Sequence, residues 1–71
     1  METSLPVDSL ERYHMICNPD TSADTLAQMA TDPSAFNRRA VAHHPNTSDE
    51  TLAQMSMDED LYVRVAVAWR C

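Results

Sequence analysis

Apolar and polar positions recur along this chain with an offset of 26 residues. The segment from Pro19 to Met29 returns from Pro45 to Met55, and the match continues downstream without a gap. The same offset applied upstream meets a partial copy near the start of the chain. A fixed period of this length is typical of stacked helical repeats, in which neighbouring units share one core. We therefore predict a single helical-repeat domain over residues 1–71, with a half-repeat at 6–18, repeat one at 19–44 and repeat two at 45–71.

The first helix of each repeat is predicted from a start signal and one apolar face. Thr21 precedes Asp24 by three residues, and Thr47 precedes Glu50 by three, which is the spacing of a capping box. In that arrangement the threonine hydroxyl accepts from a backbone N–H, and the carboxylate reaches back to the cap. Apolar residues then lie one turn apart on a single face: Leu26 with Met29, and Leu52 with Met55.

The second helix of each repeat gives a mixed signal. In repeat one, Phe36, Ala40 and Val41 form the predicted core stripe. In repeat two, apolar residues between 61 and 69 alternate with others, which by itself favours a β-strand. The equivalent segment of repeat one does not alternate, and equivalent repeats adopt equivalent structures, so we predict a helix. The fold is then all-α with five helices, at roughly 7–17, 22–31, 34–43, 48–57 and 59–69.

The repeat resembles the leucine-rich repeat variant, a short helical repeat. The resemblance rests on the order Asp, Val-Arg-x-Ala-Val-Ala, Asn-Pro-x-Thr and Leu-Ala, found here at Asp58, 63–68, 18–21 and 26–27. It implies a short right-handed, HEAT-like α-solenoid in which a regular helix pairs with a shorter, partly 3₁₀ helix. It implies no enzymatic activity. The family is also known with an iron–sulfur cluster on an additional cysteine-rich segment, which this sequence lacks, so we expect no cofactor.

Charge narrows the range of partners. Eleven acidic residues stand against five basic ones, for a net charge of −6, and every basic residue is an arginine. We expect no direct binding to nucleic acid, because a phosphate backbone needs clustered Lys and Arg. A protein partner with a basic surface is favoured instead. The absence of glycine also argues against Gly-rich phosphate loops and dinucleotide fingerprints.

The acidic residues cluster near the predicted helix starts. One acid at each start is explained by the helix dipole. The adjacent pair at 49–50 and the run at 58–60 are not, because neighbouring carboxylates repel each other. We therefore predict an acidic edge that contacts the partner, formed by Asp32, Asp49, Glu50, Asp58, Glu59 and Asp60.

Three arginines occupy equivalent positions in the repeat: Arg12, Arg38 and Arg64. Asp32 precedes Arg38 by six residues, and Asp58 precedes Arg64 by six. Each guanidinium is therefore predicted to reach back to an acid or to loop carbonyls between repeats. We favour this structural role over a ladder of anion-binding sites.

Two aromatic residues near the C-terminal end of the array are candidates for an apolar contact. Trp69, with Tyr62 on the same predicted helix, would be an exposed anchor for a partner or for a second copy of the chain. The alternative for Trp69 is a core residue that closes the last layer, and the sequence supports both equally.

Metal and covalent chemistry have little support. His14 and Cys17 are three residues apart on one predicted helix, and His43 and His44 could add ligands, but the spacing fits no zinc signature. We expect no metal site. Cys17 and Cys71 lie about two repeats apart, which is too far for a disulfide. The N-terminus lacks the pattern of a signal peptide, and no apolar run is long enough to span a bilayer, so we expect a cytoplasmic protein.

Two functions from different classes fit these observations. In the first, the chain is a non-enzymatic inhibitor that occupies a nucleic-acid-binding site of a basic partner by imitating the charge of DNA. Small phage-encoded inhibitors such as anti-CRISPR proteins are similar in size and charge, and by that analogy the chain would act in the host cytoplasm. In the second, it is a helical-repeat scaffold or dimeric adaptor. The inhibitor predicts salt-sensitive binding, the scaffold predicts salt-tolerant binding, and the strong acidity slightly favours the inhibitor.

Overall fold

The computed structural model describes residues 8–69, and this part of the chain is all-α. It contains five helices and no strand, which confirms the predicted fold class, and the alternating segment 61–69 is helical. Residues 6–7 of the half-repeat, together with Arg70 and Cys71, lie outside the described residues. The helices are α1 (Ser9–Cys17), α2 (Ala23–Met29), α3 (Ala35–His43), α4 (Asp49–Met55) and α5 (Leu61–Trp69).

The helices form two layers. Helix α3 packs between α1 and α5 in one layer, while α2 packs on α3 and α4 packs on α5. Each of the five helices contributes at least one residue to the core. Neither repeat could therefore form this core without the other. The buried apolar residues are Ile16, Leu26, Met29, Ala30, Val41, Ala42, Met55, Val63 and Ala66.

The predicted core stripe of α3 is wrong at one position. Val41 is fully buried and Ala40 partly buried, but Phe36 is 54% exposed. The buried stripe runs instead through Asn37 and Val41, four residues apart. Because consecutive residues of an α-helix point about 100° apart, Phe36 faces away from this stripe. Asn37 is accommodated in the core by donating to the backbone oxygen of Ser9 (3.0 Å).

The predicted capping boxes of α2 and α4 are also wrong. The caps are Ser22 and Ser48, whose hydroxyls accept from the backbone N–H groups of Thr25 and Thr51 at 3.2 Å. Each cap therefore lies one residue after the threonine that the sequence singled out.

The threonines at those positions have a different role. Thr21 donates to the carbonyl oxygen of Met15, and Thr47 donates to that of Val41 at 2.6 Å. Each hydroxyl thus satisfies a carbonyl near the end of the preceding helix, which needs a partner outside the helix. The acids that were expected to complete the capping boxes are exposed to solvent and take no part in the caps: Asp24 and Glu50.

Helices α2 and α4 span seven residues each and are shorter than the nine-residue helices α1, α3 and α5. They are α-helical throughout, not partly 3₁₀ as the family resemblance implied. They also end before the predicted positions 31 and 57. The reason is a turn in which the N–H groups of Asp32 and Asp58 bond to the carbonyls of Met29 and Met55.

Successive repeats are bonded through their proline-containing turns. The Nε2 atom of His44 lies 2.8 Å from the carbonyl oxygen of Asn18, and its Nδ1 accepts from the backbone N–H of Asn46 at 3.0 Å. This arrangement places the ring proton on Nε2. The Asn46 side chain donates to the carbonyls of Pro19 (3.1 Å) and Thr21 (3.0 Å). The two turns are thereby fixed against each other.

Candidate functional site

Two arginine–aspartate pairs join neighbouring repeats inside the stack. The Arg38 guanidinium donates from Nε and Nη2 to the two carboxylate oxygens of Asp58, at 2.9 and 3.3 Å. Arg12 binds Asp32 with the same two-point geometry. Such parallel bonds match the planar fork of arginine to a carboxylate. The pairs are largely shielded from solvent, with side-chain exposures of 14% and 2% for Arg12 and Asp32.

Arg38 and Arg64 also bond to backbone carbonyls of the loop that precedes their own helix. Arg38 Nη1 donates to the Asp32 carbonyl oxygen at 2.7 Å, and Arg64 Nη1 donates to that of Asp58 at 2.6 Å. Loop carbonyls were one of the two predicted targets. The other target, the carboxylate six residues earlier, is wrong for Arg38, because its carboxylate partner Asp58 belongs to the following repeat.

These contacts set the protonation of both aspartates. Burial would raise the pKa of Asp32, but hydrogen bonds from Arg12, the Ser34 backbone N–H and the Asn37 side chain outweigh it and lower the pKa. Burial likewise raises the pKa of Asp58, and the hydrogen bonds from the Asp60 N–H and Arg38 again bring it below its usual value. Both carboxylates are therefore ionised at neutral pH, and their charge is used within the stack.

The six acids of the predicted edge therefore differ in how far they are exposed to solvent. Asp32 is buried and Asp58 is mostly so, whereas Asp49, Glu50 and Glu59 are exposed. Asp60 is half-buried and caps α5 by accepting from the N–H groups of Tyr62 and Val63. The carboxylates that face solvent are thus those of Asp49 and Glu50, which begin α4, and that of Glu59, which lies ahead of α5.

The outer face of the layer formed by α1, α3 and α5 carries an apolar groove of about 720 Å³. Its lining comes from repeat-equivalent positions, because three helices of the same kind lie side by side. We call it the aromatic groove and define it by Tyr13, Phe36, Arg39, Tyr62, Val65 and Trp69.

The large side chains of the aromatic groove are open to solvent. Phe36, Tyr62 and Trp69 are 54%, 66% and 78% exposed. Trp69 therefore does not close the core, which rules out one of the two roles that the sequence allowed. The Tyr13 and Phe36 rings lie 4.9 Å apart between centroids and are inclined at 33°. The groove is a shaped surface rather than an enclosed cavity.

One cation lies in this apolar setting. Among the described residues that line the groove, Arg39 alone carries a formal charge at neutral pH. Its guanidinium carbon lies 5.4 Å from the centroid of the Phe36 ring, a cation–π contact. A hydrogen bond with the Cys17 side chain raises the pKa of the nearby Tyr13 hydroxyl.

Tyr62 and Trp69 were predicted from the sequence as contact residues, but the rest of the groove was not. Tyr13, Phe36 and Arg39 belong to it, and none of them was proposed as a site residue. A signal was available, because Phe36 is the repeat equivalent of Tyr62 and was assigned to the core by its apolar character alone. The groove becomes visible only when repeat-equivalent residues are aligned and their side-chain directions are known.

The candidate metal ligands do not converge. His14, Cys17 and His43 are exposed, whereas His44 is buried with both ring nitrogens in contact with backbone groups. Within residues 8–69, no group of three or more His, Cys, Asp or Glu side chains is placed to hold a metal ion. In the same range, no helix is long and apolar enough to cross a membrane. Cys71 lies outside the described residues, so its relation to Cys17 stays a prediction.

Comparison with known proteins supports the helical repeat. Residues 38–60 match the family model of the leucine rich repeat variant. This segment runs from within α3 through α4 to the residue before α5, and over it the resemblance drawn from the sequence is confirmed. No curated protein and no solved structure matches the chain.

Proposed function

We propose that this helical-repeat chain is a non-enzymatic protein-binding module that engages its partner through the aromatic groove. The observation that carries the proposal is the exposure of Phe36, Tyr62 and Trp69 along one continuous face. Single exposed apolar residues are ordinary on protein surfaces, but contiguous apolar patches mark interaction sites. Tyrosine and tryptophan are also enriched among the residues that dominate binding energy.

The open shape of the groove favours a polypeptide over a small molecule. Small-molecule sites are concave and bury about 70–90% of their ligand. Side chains that remain more than half exposed, as Tyr62 and Trp69 do, cannot enclose a ligand in this way. A partner polypeptide would cover them from outside. The exposed face of α1, α3 and α5 is also wide enough to offer contacts from three helices at once.

The test compares two double variants in capture experiments from the native source or its relatives. The groove variant carries Tyr62→Ser and Trp69→Ser. The acid variant carries Asp49→Asn and Glu50→Gln, at positions outside the groove. We expect the wild-type chain and the acid variant to retain one partner at high salt, and the groove variant to lose it. Circular dichroism and urea unfolding check that all three chains are folded.

An acidic inhibitor is the second candidate. It is supported by the exposed carboxylates that the helix caps do not use, among them Asp24, Asp49 and Glu50. In this proposal the exposed acids occupy a basic nucleic-acid-binding site of the partner, in the manner of a DNA mimic such as some anti-CRISPR proteins. The chain would then act in the cytoplasm, and in the host cytoplasm if it is encoded by a phage.

The same experiment separates the two candidates. A partner that is lost from the acid variant, elutes at moderate salt and is displaced by DNA or RNA would support the inhibitor and overturn the groove proposal. Recovery of a second copy of the chain, with the groove variant monomeric in sedimentation, would identify the adaptor as a homodimer that uses the groove.

A further inference from the structure

Arg39 is not required by the helical repeat. Its repeat equivalents are Tyr13 and Val65, so the fold accepts an aromatic or a β-branched residue at the same place. The neighbouring Arg38 shows the contrast, because both it and its equivalent Arg12 pair with aspartates inside the stack. Arg39 makes no ion pair with any residue between 8 and 69. A chain of net charge −6 therefore places a cation, without an ion pair among the described residues, in an apolar groove.

The surroundings of Arg39 suit the recognition of a carboxylate. Arg39 is a partly buried residue, and its guanidinium lies over the Phe36 ring at 5.4 Å, a contact that limits its motion. An arginine placed in this way binds a carboxylate more strongly than a fully solvated one, because less water competes. The Tyr13 ring belongs to the same lining and packs beside Phe36, 4.9 Å away between centroids. The aromatic side chains on either side would contact apolar residues of the ligand.

We propose that the aromatic groove binds an apolar peptide segment that carries one acidic side chain, whose carboxylate pairs with Arg39. The inference rests on the proposed function and names the partner chemistry at that site. The large apolar residues of the segment pack on Phe36, Tyr62 and Trp69. The acidic residue between them fixes the direction and the register in which the peptide binds. A basic segment is disfavoured by repulsion from Arg39. The groove therefore favours an acidic segment, whereas the exposed acids elsewhere on the chain favour a basic surface.

The experiment is a selection of short random peptides displayed on phage, with the full chain as bait. Binding of the enriched peptides is then measured through the fluorescence of Trp69, the single tryptophan of the chain, which lies in the groove. We expect enriched peptides to combine large apolar residues with an aspartate or glutamate. Arg39→Gln should weaken them by about 10-fold, as expected for a charge-assisted contact.

A matched control removes the same charge elsewhere. Arg64 is exposed and does not line the groove, so Arg64→Gln should change the affinity by less than about twofold. A charge exchange completes the test. Arg39→Glu should reject the acidic peptides and should bind versions in which the acid is replaced by lysine.

The outcomes separate the pairing with Arg39 from the use of the groove as a binding site. Equal losses for Arg39→Gln and Arg64→Gln, or enrichment of basic peptides, would overturn the pairing with Arg39 while leaving the groove as a binding site. If the Tyr62→Ser and Trp69→Ser variant selects the same peptides as the wild-type chain, the groove is not the binding site. That result would overturn the proposed function as well.

Discussion

At the scale of single residues, Asp32 has the most demanding environment among the acids. Its side chain is 2% exposed, and its carboxylate accepts from Arg12, from the Ser34 backbone N–H and from the Asn37 side chain. Moving a charge out of water is costly unless its remaining hydrogen-bonding capacity is filled. Here it is filled from three different residues, which belong to α1, to the cap of α3 and to α3 itself. The one carboxylate thereby joins the half-repeat to repeat one.

Replacing Asp32 with asparagine should therefore destabilise the fold strongly. The variant keeps the size of the side chain but leaves the partly buried Arg12 without its counter-charge, at a cost of about 3 kcal/mol. Urea unfolding of Asp32→Asn measures this loss. The control is Asp20→Asn, an exposed position whose repeat equivalent is already Asn46, and it should change stability by less than about 0.5 kcal/mol. Similar losses in both variants would contradict the structural role of the pair.

Acid should destabilise the protein through the same residues. The pKa values of Asp32 and Asp58 are both lowered by folding, so each group contributes stability above the pKa of the unfolded chain. This stability is lost as pH falls from about 5 through the lowered pKa values, because the folded state must then give up its ion pairs to take up protons. Urea unfolding across this range should show a decreasing free energy of unfolding. Unchanged or higher stability at acid pH would contradict the prediction.

At the scale of elements, the caps of the short helices are the feature most open to test. Ser48→Ala should cost about 1 kcal/mol, because it leaves the Thr51 N–H at the start of α4 without its acceptor. Glu50→Ala should cost less, because the Glu50 carboxylate is exposed and takes no part in the cap. Thermal unfolding of the two variants and of the double variant measures both effects. A larger loss for Ser48→Ala than for Glu50→Ala agrees with a serine cap, whereas the reverse order would contradict it and favour the predicted capping box.

Helix positions followed from the sequence because they are encoded locally and repeated. The helical state of α5 shows the strength of the repeat: its own alternating pattern favoured a strand, and only the comparison with α3 corrected it. The buried face of α3 was harder to predict from the sequence than the position of the helix. Phe36 looked like a core residue by its chemistry, but the buried stripe runs through Asn37, a polar residue whose bond to Ser9 has no signature in the sequence.

Contacts between repeats were also beyond the sequence. Arg12 and Arg38 were recognised as structural, yet each carboxylate partner lies 20 residues further along the chain, in the next repeat. Nothing in a single repeat distinguishes that aspartate from the one six residues before the arginine. Which aspartate an arginine pairs with depends on how far one repeat is displaced from the next in the stack. This displacement also decides which acids remain on the surface, so the predicted acidic edge could not be divided from the sequence alone.

At the scale of the whole molecule, stacking creates the surface that we assign to binding. Tyr13, Phe36 and Tyr62 come from three separate helices, and they form one groove only because α1, α3 and α5 lie side by side. The stacking is in turn maintained by the core shared among all five helices and by the bonded turns. A change that loosens the turns should therefore reduce global stability and not only local order.

His44 offers a graded test of this connection. His44→Ala removes the acceptor for the Asn46 N–H and the partner of the Asn18 carbonyl, and should cost about 2 kcal/mol. His44→Asn should cost less. Its repeat equivalent Asn18 already accepts from the N–H of Asp20 at 2.9 Å, so an asparagine can keep the turn but cannot span to the other repeat.

The order wild type, His44→Asn, His44→Ala should appear as decreasing midpoints of single urea transitions, since one core is shared by both repeats. The neighbouring His43 is exposed, and His43→Ala is the control, with an expected change below about 0.5 kcal/mol. Equal stability of His44→Asn and His44→Ala would mean that the acceptor within the turn contributes nothing. A transition that separates into two steps would mean that the repeats unfold independently, and the groove would then lose the rigid support that joins its two halves.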